Sequence, residues 1–126
     1  MSWQSYVDEQ LVDTHHVAKA AVVGADDGGT WASSKDFLKG GEGAGFINLF
    51  KSPADVFAKG VVVNGVKYMG IKGDSRSIYA KKGATGVVLV KTETTILVAY
   101  YNETQQPGNA ASTVEKLADY LIENKL

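Results

Sequence analysis

The side chains that could do covalent chemistry are few in this chain of 126 residues. There is no cysteine, which excludes disulfides, thiolate metal sites and thiol nucleophiles. The only histidines, His15 and His16, are adjacent. They lack the ligand spacing and further donors of a metal site and read as a polar helix end. Ser33 and Ser34 lack the G-x-S-x-G setting of an activated serine. "GGEGAG", around Glu42, has no strand before it and no Lys-Ser/Thr after it, so it reads as a turn rather than a phosphate loop. "GVVVNGVK" spaces two glycines as a phosphate loop does, but Val66 stands where the lysine is needed, and the stretch reads as a hairpin. Asp26 and Asp27 fall in "DDGG", whose residues are those of a tight turn. No enzyme, metal or cofactor is expected.

The aromatic residues carry a different chemistry. Trp3 and Tyr6 stand one helical turn apart in "MSWQSY", Trp31 follows the "DDGG" turn, and Tyr120 lies near the end of the chain. If the two terminal helices pack side by side on a sheet, these four rings line one groove. Such a groove suits a polyproline II ligand: proline rings stack on aromatic faces, and the solvated carbonyls accept from indole and phenol donors. The competing reading makes Trp3 and Trp31 core residues that tie helix to sheet.

These rings need elements to hold them. Ser2 caps a first helix whose stripe is Trp3, Val7 and Leu11. Strand, turn and strand follow in "VAKAAVVGADDGGTWAS". Two short helical pieces carry the stripe Phe46, Leu49 and Phe50, with Pro53 opening the second. Asn64-Gly65 turns a hairpin, and "SIYAKK" and "GVVLVKTETTILVAYY" supply three more strands. The run Gly86–Val90 lacks alternation, which implies a sheet covered on both faces. A last helix buries Val114, Leu117, Ala118 and Leu121. It starts at the capping box Ser112-x-x-Glu115, or earlier at Gly108 or Asn109. The connections are too short for parallel crossovers. The fold class is therefore α+β: a single domain over residues 1–126, with an antiparallel sheet and helices first, middle and last.

Charge is unevenly spread along a chain of formal net charge −1. Residues 1–58 hold eight acidic side chains against four lysines, whereas residues 59–91 hold seven basic ones against Asp74. Neighbouring strands would merge that band into a basic surface that attracts acidic protein, phosphoinositide headgroups or nucleic acid. No apolar run reaches the roughly 18 residues of a membrane helix, and no secretory signal is expected.

Four segments, "SWQSYVDEQLV", "TWASS", "GDSRSIYAKKG" and "VEKLADYLI", resemble the amoeboid and fungal profilins in order and across the whole chain. The resemblance implies a small cytoplasmic, cytoskeleton-associated monomer that binds monomeric actin, proline-rich segments and phosphoinositides, and no nucleic acid. It implies a sheet between helical layers, with the terminal helices on one face and short helices on the other. It places the polyproline groove at Trp3, Tyr6, Trp31 and Tyr120, with the last residue contributing. Many profilins end in Tyr or Phe; Leu126 removes one stacking ring, so weaker proline binding is expected. The implied actin face comprises Lys67, Lys72, Lys81, Lys91, Pro107, Gly108, Ala111, Glu115 and Lys116. Lys72, Arg76, Lys81 and Lys82 are the implied phosphoinositide contacts, so lipid and actin should compete. The alternatives are a lipid-binding module and a small-ligand sensor of similar architecture. The sensor would need small residues in the core strands, and "GVVLV" and "TILVAYY" show no such thinning.

Overall fold

The computed structural model describes residues 2–126. Seven antiparallel strands, β1 (Lys19–Gly24), β2 (Thr30–Ser33), β3 (Val61–Val63), β4 (Val66–Gly73), β5 (Ser77–Lys82), β6 (Thr85–Lys91) and β7 (Thr95–Tyr101), form one sheet in the order β2-β1-β7-β6-β5-β4-β3. From β3 to β7 the chain is a run of hairpins. The β1–β2 hairpin docks on β7, which brings the N-terminal part of the chain beside the last strand. At the β3–β4 turn Asn64 and Gly65 both have positive φ (53° and 77°), as the tight hairpin requires.

Alternation along each strand feeds two cores. Val22, Val88, Val90, Leu97 and Ala99 point to one face, which is covered by the N-terminal helix and by α4 (Pro107–Glu123). Ala21, Val23, Val87, Leu89, Ile96 and Val98 point to the other, under α2 (Glu42–Lys51) and α3 (Asp55–Lys59). The central strands are buried on both sides, as the unalternating Gly86–Val90 run implies.

The N-terminal helix starts as α1 (Trp3–Ser5), continues as a π-helical segment (Tyr6–Leu11) and ends in a 3-10 turn (Val12–Thr14). Ser2 Oγ accepts from the Ser5 amide at 3.1 Å, the expected cap. His15 closes the helix in the left-handed conformation at φ 64°. Two helix starts differ from expectation. Helix α4 begins at Pro107, because proline fits the first turn where no amide partner is needed, and Glu115 turns to the sheet instead of capping. Helix α3 begins at Asp55, after a turn in which the Pro53 carbonyl accepts from the Val56 amide.

Candidate functional site

The four aromatic rings form one continuous strip. Ring centroids lie 5.4 Å apart for Trp3 and Trp31, 5.5 Å for Trp3 and Tyr6, and 6.4 Å for Tyr6 and Tyr120. All three pairs are tilted, within the range of favourable aromatic contacts. Tyr6 is the floor, 7% exposed, while Trp31 (44%) and Tyr120 (50%) stand open at either end. Burial, and then the neighbouring Tyr120, hold the Tyr6 phenol above its ordinary pKa.

Each ring is positioned by its own element. Trp3 and Tyr6 are three apart on the helix, and Val7 and Leu11 pin that helix to β1. The register between β1 and β2 shifts at Val22/Val23, beside Trp31. The side-chain amide of Gln4 donates to the Ser33 carbonyl at 3.0 Å and accepts from the Ser33 amide at 3.3 Å, which fastens the helix to β2. Tyr120 rides on α4 at the edge of its buried stripe. Leu126 is half-buried against the same core layer, and its carbonyl accepts from the Glu93 amide at 3.1 Å.

A second face lies on β3, β4 and β5, on the side of the sheet that carries α4. Met69 pairs with Lys81, and Lys67 pairs with Val62. A bulge between Gly70 and Lys72 brings Lys72 opposite Tyr79, with its ammonium 5.0 Å from the ring centroid. Val62 (45%), Met69 (49%) and Ile71 (53%) are exposed apolar side chains among these lysines. The sequence reading missed them, since it sorted the band by charge alone. Their signal was apolar residues beside lysine in an edge hairpin. Pro107 and Gly108 are exposed at the start of α4, and Ala111 is half-buried. The loop to α4 leaves from Tyr101, which pairs with Gly86, itself the partner of Lys81.

A model of the family described as Profilin matches residues 1–126. The chain belongs to the profilin family. It is 65% identical to Profilin-P of Physarum polycephalum and 57% identical to Profilin-1 of Dictyostelium discoideum, over 98% of both chains in each case. It superposes on the solved structure of Acanthamoeba castellanii profilin IB with a TM-score of 0.94 at 48% identity, covering 99% of this chain and 100% of that one. Profilins are non-enzymatic actin-binding proteins. The expected fold, terminal helices on one face of an antiparallel sheet and short helices on the other, is the fold of this profilin.

Several residues assigned by resemblance also make contacts within the fold. Glu115, placed on the actin face, sits over β5. It accepts from Ser77 Oγ at 2.7 Å, from the Tyr79 phenol, and from Arg76 Nη2 at 3.1 Å. Arg76, placed among the lipid contacts, also donates to Asp119 at 2.8 Å, so its charge is matched within the fold. Its pKa is raised, first by the hydrogen bond to Asp119. Strand alternation turns Lys82 to the face opposite Lys81 and leaves Lys91 on the face of Leu89. Lys116 does not share the side of α4 that carries Glu115. It lines a cleft between the terminal helices with Tyr6 and Tyr120.

Proposed function

We propose that this profilin is a two-faced adaptor that holds monomeric actin on its β3–β5 face and proline-rich partners on its ring strip. The observation that carries the reading is the unbroken run Trp31, Trp3, Tyr6, Tyr120, whose outer members are half exposed. Rings that served only the core would be covered. A polyproline II segment would stack its rings here at little entropic cost, because it is already stiff. Mouse profilin IIa, with the same fold at a TM-score of 0.77 and 23% identity, has been solved in complex with a double repeat from the FH1 domain of mDia1. Leu126 supplies apolar contact at the end of the strip without a stacking face.

For actin, the apolar centre Val62, Met69 and Ile71 with its lysine border of Lys67, Lys72 and Lys81 has the composition of an interface for an acidic partner. Pro107, Gly108 and Ala111 extend it along the start of α4. Glu115 acts by placing α4, and Lys91, on the other face of the sheet, takes no part in this surface. Lys72 and Lys81 lie on one face and form the phosphoinositide contact. Because the same lysines serve both ligands, headgroups and actin compete. Each lysine near an anionic surface contributes about 1 kcal/mol, and salt weakens the contact. The protein works in the cytoplasm, and delivery follows from simultaneous binding, with no covalent step.

A polymerisation assay with purified actin monomers tests the reading. Added protein should slow spontaneous nucleation, Lys72→Glu should weaken that effect, and vesicles of phosphatidylinositol 4,5-bisphosphate should relieve it. Absence of any effect at micromolar concentrations would overturn the actin assignment.

A further inference from the structure

Beyond Tyr6 and Tyr120 the ring strip opens into a cleft of about 620 Å³ between the N-terminal helix and α4. One wall is the line Tyr6, Gln10 and Thr14, followed by His16. The other follows one side of α4 backwards from Tyr120 through Lys116 to Asn109. The helices run antiparallel here: Tyr6 meets Tyr120 at one end, and Gln105 Nε2 donates to the His15 carbonyl at 3.0 Å at the other. Both walls add polar side chains to an apolar floor, unlike the aromatic strip that leads to them.

The cleft is also one-signed. Among the described residues its charged or chargeable nitrogen groups are Lys116 and His16, and no carboxylate lines it. Asp119, the carboxylate next to Tyr120, is drawn to the other side of α4 by Arg76 at 2.8 Å. Glu9 and Asp13 of the N-terminal helix are exposed but do not line the cleft. A chain that has stacked its prolines on the rings and continues between the helices therefore meets a lysine with no carboxylate partner among the described residues.

We infer that the cleft is a reading subsite for the segment flanking the proline tract, and that it selects an acidic side chain there through Lys116. The inference rests on the ring strip being the proline site. Its spacing follows from the geometry. Lys116 lies one turn before Tyr120, about 6 Å along the axis at about 1.5 Å per residue. A polyproline II chain rises about 3.1 Å per residue. The acidic residue thus stands about two positions beyond the proline seated between Tyr6 and Tyr120. Gln10, Thr113 and Asn109 are placed to hydrogen-bond the carbonyls and amides of the next residues.

Three synthetic peptides test this by tryptophan fluorescence at low salt. Each has a ten-proline tract carrying, two residues beyond it, a neutral, an aspartate or a lysine side chain, with the extension placed at either end in separate versions. The aspartate peptide is expected to bind about two- to five-fold tighter than the neutral one in one of the two orientations, the range of an exposed charge pair. The lysine peptide should bind more weakly than the neutral one. High salt should level the series. Lys116→Ala should abolish the preference and Lys116→Glu should invert it. If the neutral peptide binds and aspartate adds nothing in either orientation, the subsite is refuted while the ring strip stands. A preference that survives Lys116→Ala also refutes it. If no peptide changes the fluorescence, the ring strip itself is refuted, and the subsite with it.

Discussion

The side-chain amide of Gln4 exchanges two hydrogen bonds with the backbone of Ser33, donating at 3.0 Å and accepting at 3.3 Å. This is the pairing a further strand would make with β2, supplied by one exposed side chain. It blunts the edge of the sheet and fixes the rotation of the first helix, so that Trp3 meets Trp31 at 5.4 Å. Gln4→Ala removes both bonds without leaving a buried polar group. The expected cost is about 1 kcal/mol of stability. Proline-peptide affinity should fall by more than an exposed alanine substitution on the far side of the helix causes. Urea denaturation and a fluorescence titration measure the two effects, and equal peptide binding by Gln4→Ala and the unmodified protein would show that the brace does not order the strip.

Leu126 closes the aromatic end of the chain with an apolar side chain that has no stacking face. Its backbone is held by bonds from the Leu126 amide to the Leu121 carbonyl at 2.8 Å and from the Glu93 amide to the Leu126 carbonyl at 3.1 Å. An aromatic replacement would therefore sit on an already ordered stem. Leu126→Tyr should add one ring contact, about 0.5–1.5 kcal/mol, which is roughly two- to twelve-fold tighter binding of a proline decamer. Titration of both forms with the same peptide checks this.

Glu115 takes hydrogen bonds from Arg76, Ser77 and Tyr79 and so ties α4 to β5 and to the turn before it. Glu115→Ala leaves Arg76 with Asp119 and the residue 115 backbone carbonyl, and strips the buried Ser77 and half-buried Tyr79 hydroxyls of their acceptor. The expected loss is about 2–4 kcal/mol. Glu115→Gln keeps the shape and one acceptor oxygen and should lose less. Denaturation midpoints of the two variants give the order; a Glu115→Ala protein as stable as the unmodified one would make the network dispensable.

The architecture was legible where it rested on periodicity. The Val114, Leu117, Ala118, Leu121 stripe, the Asn64-Gly65 hairpin and the double-sided burial of Gly86–Val90 follow from residue type and spacing alone. Side-chain destinations across long separations were not legible. Ser112-x-x-Glu115 has the pattern of a capping box, but three donors on β5 and its preceding turn outbid a single amide for the Glu115 carboxylate. Strict alternation along β4 would send Lys72 to the face of Tyr68. The bulge at Gly70/Lys72 inserts Ile71 and returns Lys72 to the face of Tyr79. The rings were found by type, but their contact depends on Gln4, a polar residue with no pattern of its own.

Buried phenols set an alkaline limit on this fold. Burial, followed by the hydrogen bond to Glu115 and its negative charge, pushes the Tyr79 pKa far above its ordinary value of about 10. Burial also raises Tyr68 and Tyr101. A tyrosine whose folded pKa is raised keeps its proton after the unfolded chain has lost it. The folded state then binds more protons, and stability falls as pH rises. The contribution is intact below about pH 10 and is lost progressively above it. Urea midpoints should therefore be insensitive to these groups at pH 7–9 and drop steeply beyond pH 10. Tyr79→Phe should lower the plateau, because Glu115 loses a donor, and should also flatten the alkaline slope. A slope identical in Tyr79→Phe and the unmodified protein would assign the alkaline limit to Tyr6, Tyr68 and Tyr101 instead.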